Sequence, residues 1–145
     1  MLVSSILARK GHFVATVRGD APLAEASRAL ARHGIGALVV SDDDVTVQGI
    51  ISERDLAHAL ATHGSAAPLL DVRAVMTRDV TTCSPHDTCD HLMAVMTERR
   101  ARHLPVLDSQ SHLVGIISIG DVVRDRVDEL QTETQVLHEY IQSGR

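Results

Sequence analysis

The sequence predicts an α+β fold in which two copies of one β-α-β-β-α unit pack face to face. The first reason is a repeat: Gly49–Asp55 reads GIISERD, and 66 residues later Gly115–Asp121 reads GIISIGD, with no gap needed between the copies. The second is size, because each unit has under about 60 residues and would bury too little apolar surface alone. The third is composition: only Phe13 and Tyr140 are aromatic, so small aliphatic side chains must build a tight core.

The first unit follows a short helix predicted over residues 1–9. Its predicted elements, in order, are a strand at 13–17, a helix from Asp20 to Gly34, strands at 37–40 and 47–51, and a helix at 53–62. We expect Asp20 to be the N-cap of the first of these helices, with Pro22 in its first turn and Gly34 at its end. Ser52 opens the second helix.

The second unit repeats this order after a connection at 64–68, which is rich in small residues and proline. Its predicted elements are a strand at 80–83, a helix beginning at Ser84–Asp87 and running to Arg99, strands at 103–107 and 113–117, and a last helix opened by Ser118. That helix is longer than its counterpart. It carries a heptad-like apolar seam formed by Val123, Val127, Leu130, Thr134, Leu137 and Ile141, which predicts docking on a partner subunit.

Composition and charge argue against several classes of protein. The formal net charge is −5 and the pI is about 5.9, which argues against binding nucleic acid or an anionic membrane. No apolar run approaches the ~20 residues of a membrane span, and the N-terminal segment lacks the order of a signal peptide. Two cysteines do not make a disulfide framework, so we expect a cytoplasmic protein.

Each repeat ends in a Ser-x-x-Asp motif, Ser52/Asp55 and Ser118/Asp121. The spacing alone favours a variant of the capping box, which satisfies free backbone N–H groups at a helix start. The functional alternative is a nucleotide site. A helix N-terminus suits phosphate, and a carboxylate there can accept hydrogen bonds from a ribose diol.

The two repeats resemble a tandem pair of cystathionine-β-synthase (CBS) domains, also called a Bateman module, over residues 10–130. The likeness rests on the GIISxxD motifs, the preceding strands ALVV and HLPV, and the segments MTRDV at 76–80 and RHLPV at 102–106. It is similar to bacterial stand-alone pairs. The resemblance implies two pseudo-twofold-related repeats packed sheet to sheet, with two clefts between them and here an extended C-terminal helix.

The resemblance also implies domain limits and partners. We expect repeat 1 at 10–66, a linker at 67–75, repeat 2 at 76–128 and a C-terminal helical extension at 129–145. CBS clefts bind adenosine compounds, so AMP or NAD(H), and possibly ATP as a third candidate, are the expected ligands, with no catalytic cofactor. A homodimer and a regulated protein partner of unknown identity are also expected.

Site residues transfer through the matching motifs. In each cleft the family's aspartate, here Asp121 or Asp55, holds the ribose. The expected lining of cleft 1 is Lys10, Ala15, Gly36, Arg102, His103, Ile116, Ser118 and Asp121. The expected lining of cleft 2 is Ser52, Arg54, Asp55, Met76, Arg78, Thr81 and Arg102. Arg102 resembles a family phosphate contact and Lys10 would add charge, since guanidinium and ammonium groups both bind phosphate.

Two other functions were weighed against this interpretation. Cys83, His86, Cys89 and His91 form a possible zinc set, but Cys83 and Cys89 take the places of Val17 and Leu23, so core packing is favoured and no metal is expected. A catalytic function is not expected, because the chain has no nucleophile elbow and no P-loop. A protein-interaction module with empty clefts stays the alternative to a ligand sensor.

Overall fold

The structure is a computed structural model that describes residues 1–144. The helices are α1 Val3–Lys10, α2 Leu23–His33, α3 Glu53–His63, α4 Val72–Val75, α5 Cys89–Arg99 and α6 Ile119–Ser143, and a 3₁₀ turn spans Gly64–Leu69. The strands are β1 Thr16–Val17, β2 Ala37–Val40, β3 Gly49–Ser52, β4 His103–Leu107 and β5 Leu113–Ser118. The predicted α+β class and the two-repeat architecture are confirmed.

Each repeat forms its own small sheet. In the first, β1 runs parallel to β2, and β2 pairs antiparallel with β3. In the second, β4 and β5 pair antiparallel. The strand predicted at 80–83 is wrong, since only Cys83 makes a single parallel bridge to Val106.

Proline explains the missing strand. In repeat 1 the amide of Val39 donates to the carbonyl of Ala15, and this bond extends the parallel pairing. The residue 66 positions after Val39 is Pro105, which has no N–H to donate to Thr81. The second parallel pairing therefore stops at Cys83.

Two predicted helix starts are wrong. Asp20 does not cap α2; Pro22 is the N-cap, and the Asp20 carboxylate accepts a hydrogen bond from Arg18 Nε at 3.1 Å. In the second repeat, Ser84–Asp87 forms a turn closed by the Asp87 side chain, and α5 starts only after Thr88, whose hydroxyl accepts from the His91 amide. In both places a local polar contact competes with the capping role.

The repeats exchange their leading helices. Val3, Ile6 and Leu7 of α1 precede repeat 1 but are buried in the core of repeat 2. Val72 of α4 precedes repeat 2 but is buried in the core of repeat 1, where Ala67 also packs. Residues 67–75, expected to be a linker, are thus part of the first core. The interlocking holds the two sheets in a fixed relation.

Helix α6 has a packed start and an exposed remainder. Val122 and Asp125 are buried, whereas all residues from 131 to 144 are exposed. The apolar seam residues of α6 are also exposed, with 44% to 59% accessible side chains at Val123, Val127, Leu130, Leu137 and Ile141. Arg145, the end of the predicted extension, lies outside the described residues. Within residues 1–144 no helix has both the length and the apolar character to cross a membrane.

Candidate functional site

Both Ser-x-x-Asp motifs form complete capping boxes, as their spacing predicts. The Ser52 amide donates to Asp55 Oδ2 at 2.9 Å, and the Asp55 amide donates to Ser52 Oγ at 3.3 Å. In the second motif the corresponding distances are 2.9 and 3.1 Å. Each β-strand therefore passes directly into a helix, and the same backbone geometry places one carboxylate in each cleft.

A cavity of about 540 Å³ opens beside Asp55 between the two repeats. It brings together five residues predicted for cleft 2: Ser52, Arg54, Asp55, Thr81 and Arg102. Gly36 and His103, predicted for cleft 1, also line this cavity. They start the central strands of the two repeats, so they lie where the clefts adjoin.

Met76 and Arg78 do not line the cavity. Met76 is buried in the first core, and its sulphur occupies the space left by Gly49, where a Cβ atom would lie 2.5 Å from Sδ. The Arg78 guanidinium instead donates to the carbonyl of Arg73 at 3.1 Å. Sequence reasoning had placed both in the cleft because they flank the predicted strand.

Sequence reasoning missed several residues of this cavity: Glu53, Asp79, Arg99, Arg100 and Ala101. Arg99 ends α5, and Arg100 follows it with a φ of 54°, in the left-handed region. The repeat contained a signal for them, because the offset of 66 residues relates Arg100 to Gly34, the predicted helix end of repeat 1.

The arginines of the cavity are available for an anion. Arg54, Arg99, Arg100 and Arg102 all line it, and all are exposed. Within residues 1–144 none of the four lies within 4.0 Å of a carboxylate oxygen, although six other basic residues do form such pairs. An arginine without a carboxylate partner can bind phosphate without first breaking an ion pair.

The Asp121 cleft is different, because the chain itself occupies its carboxylate. Lys10 Nζ lies 2.5 Å from Asp121 Oδ2 and also donates to the carbonyl of Ile116 at 2.8 Å. Burial opposes ionisation of Asp121, but hydrogen bonds from Lys10 and Ser118 outweigh it, and the pKa of Asp121 lies below its usual value. Of the residues predicted for cleft 1, this group unites Lys10, Ile116, Ser118 and Asp121.

The remaining residues predicted for cleft 1 lie elsewhere. Ala15 lines a separate cavity of about 460 Å³, with Phe13 and His33, whose ring centroids are 5.6 Å apart. Asp121 does not line that cavity. Gly36, Arg102 and His103 face the Asp55 cavity, as described above.

His103 lies at the junction of the two clefts. Its Cε1 atom lies 3.6 Å from the position that a Cβ atom at Gly36 would take. Burial first, and then the positive charges of Lys10 and Arg102, lower the pKa of His103 below its usual value. The imidazole is therefore neutral at pH 7, and the arginines must supply the positive charge of the Asp55 cleft.

The cysteines pack in the second core, as their repeat positions predict. Cys83 and Cys89 are free and buried. Burial raises the pKa of each thiol to about 12, with Asp87 adding to the shift at Cys83 and Asp125 at Cys89. Among the described residues, no group of three or more His, Cys, Asp or Glu side chains is placed to hold a metal ion.

Comparison with known proteins now identifies the architecture. The sequence model of the CBS domain matches residues 4–62 and again residues 72–128. The mitochondrial CBS domain-containing protein CBSX3 of Arabidopsis thaliana is 35% identical over 129 residues, which cover 86% of this chain and 62% of that protein. This chain is thus shorter than that relative.

Solved structures agree with the family match. A CBS-domain containing protein from Agrobacterium tumefaciens is 46% identical, with a TM-score of 0.83 over 87% of this chain and 99% of that one. The CBS domain pair of protein MJ0100, solved with 5′-methylthioadenosine and S-adenosyl-L-methionine, is 28% identical, with a TM-score of 0.78 over 89% and 98% of the two chains. Because the family model matches both halves of the repeat, the chain belongs to the CBS domain family.

Proposed function

We propose that this protein is a non-catalytic regulatory module that binds an adenosine nucleotide between its two repeats. The Asp55 cavity is the observation that carries the proposal. It combines a carboxylate at a helix start, which suits a ribose diol, with arginines that have no carboxylate partner and suit phosphate. The methylthioadenosine and S-adenosylmethionine bound by a relative of 28% identity support the adenosine part of the ligand.

The arginines favour a phosphorylated ligand. AMP, NAD(H) and ATP carry phosphate, whereas S-adenosylmethionine and methylthioadenosine do not. Arg102 keeps the phosphate-binding role that its motif implies, now together with Arg54, Arg99 and Arg100. The Asp55 carboxylate would then hold the ribose, and the ligand would span the cavity from Asp55 to the arginines.

Calorimetric titration of the full chain tests the proposal. We expect saturable binding of AMP, ADP, ATP or NAD, and a rise of the unfolding temperature with the same compounds, because a ligand that binds only the folded state stabilises it. Adenosine and S-adenosylmethionine are the controls without phosphate. If no adenosine compound binds, the proposal fails and a protein-interaction module with empty clefts replaces it.

Association through α6 completes the proposed function. The exposed apolar seam of α6 gives two copies of the chain a surface on which to pair, and a homodimer would let ligand binding alter the arrangement of subunits. We expect light scattering at tens of micromolar to give the mass of a dimer, and a monomer mass would remove this part. A regulated protein partner and a cytoplasmic location belong to the same proposal, and the free thiols suit a reducing compartment.

A further inference from the structure

The positions that supply arginine to the Asp55 cleft supply almost no charge to the Asp121 cleft. An offset of 66 residues relates the two clefts, and it pairs each cavity arginine with a residue of the other half. The pairs are Arg54 with Gly120, Arg99 with His33, Arg100 with Gly34, and Arg102 with Gly36. Three of four arginines thus correspond to glycine, so the capacity for phosphate lies on one side of the molecule.

Arg100 occupies a backbone conformation that suits glycine. Both Arg100 and Gly34 follow the last residue of a helix, with φ angles of 54° and 64°. The left-handed region is unfavourable for a residue with a side chain but not for glycine. Repeat 2 therefore keeps a charged side chain where glycine would fold more easily. Strain of this kind is found where a side chain has a functional task.

Lys10 closes the other cleft. Its ammonium contacts the Asp121 carboxylate and the Ile116 carbonyl, the two acceptors that a ribose would meet there. The residue related to Lys10 by the same offset is Met76, which is buried in the core and donates nothing to Asp55. Arg9 adjoins Lys10 and pairs with Asp125 and Asp128 of α6, which holds the end of α1 in place.

From these three observations we infer that each chain binds one phosphorylated nucleotide, in the Asp55 cleft, with Arg100 as a specificity-determining residue for phosphate. The inference rests on the proposed function and deepens it. The Asp121 cleft stays closed by Lys10 and binds the same ligand at least tenfold more weakly. Repetition of the fold thus produces one open site.

The experiment is calorimetric titration of the full chain with ADP and with adenosine. The native protein is expected to bind one ADP per chain. Arg100→Gly is expected to bind ADP about tenfold more weakly, since it loses one charge-assisted contact, and to bind adenosine unchanged. Its unfolding temperature should equal or exceed that of the native protein, because glycine relieves the backbone. Arg124→Ala, at an exposed arginine of α6 outside the cavity, is the control and should bind ADP like the native protein.

The outcomes separate the inference from the proposed function. Lys10→Met, which copies the residue of repeat 1, is expected to reveal a second and weaker ADP site. Two equal ADP sites in the native protein, or an Arg100→Gly protein that binds ADP as tightly as the native one, would overturn the inference and leave the proposed function standing. Absence of binding by any adenosine compound would overturn both. A lower unfolding temperature for Arg100→Gly would give Arg100 a structural role and also overturn the inference.

Discussion

In the Asp55 cleft, the carboxylate is bound only by its own capping box, and four arginines line the opposite walls. In the Asp121 cleft, an identical capping box is present, but Lys10 covers the carboxylate and the matching walls carry glycine and histidine. The backbone is repeated and the chemistry is not. A duplicated fold can therefore keep its geometry in both halves while substitutions at a few positions leave one half open to ligand.

The largest expected effect contrasts the two aspartates. Asp55→Ala should weaken binding of an adenosine nucleotide by about 1.5–3 kcal/mol, because the ribose loses a charged acceptor. Asp121→Ala should leave affinity unchanged, since Lys10 already occupies that carboxylate. Calorimetry measures both affinities.

The two aspartate variants are matched controls for stability. Each loses one capping box, which costs about 1 kcal/mol, so their unfolding temperatures should fall by similar amounts. If Asp121→Ala weakens nucleotide binding as much as Asp55→Ala does, the clefts are equivalent and the contrast between them is wrong.

The next effect concerns the contact that holds α1 against α6. Asp125 is fully buried, and its carboxylate accepts no hydrogen bond within residues 1–144; Arg9 lies 3.6 Å away. Arg9→Met should lower the free energy of unfolding by about 1–3 kcal/mol, because the buried carboxylate loses its cation. Urea unfolding gives the value.

Repeat 1 provides the control for that experiment. Ala59 holds the position related to Asp125 and is also buried. Asp125→Ala should change stability by under about 1 kcal/mol, since it removes the charge that is costly to bury. A larger loss for Asp125→Ala than for Arg9→Met would show that the carboxylate stabilises the fold by contacts other than Arg9.

The smallest expected effect is a pH dependence confined to the Asp121 cleft. The pKa of Asp121 is lowered, so its ion pair stabilises the fold above the unfolded pKa of ~3.9, and this contribution disappears as the pH falls through the folded pKa. Lys10→Met should cost about 0.2–1 kcal/mol at neutral pH, because the pair is partly exposed. Urea titrations should show the difference shrinking below pH ~3.9. A constant difference would assign the effect of Lys10 to packing.

Much of the fold followed from local patterns. The offset of 66 residues identified two units, and apolar runs located β2 and β4 with little error. The Ser-x-x-Asp spacing correctly predicted both capping boxes, because those hydrogen bonds join residues three apart in the chain. Where a neighbour distant in sequence mattered, prediction failed. Pro105 removed a strand 22 residues before it, and no pattern near Val80 signals that loss.

The sequence by itself determined the repeated unit, the positions of Asp55 and Asp121, and the asymmetry at Arg54 and Gly120, since each depends on residue type and spacing. Only the tertiary structure decided how the side chains are shared between the clefts. Lys10 meets Asp121 across 111 residues because α1 packs on the opposite repeat, and Arg99 and Arg100 reach the Asp55 cavity because α5 ends beside it. Such contacts depend on which helix covers which sheet, and this is set by the burial of Val3, Ile6 and Leu7 in the second core.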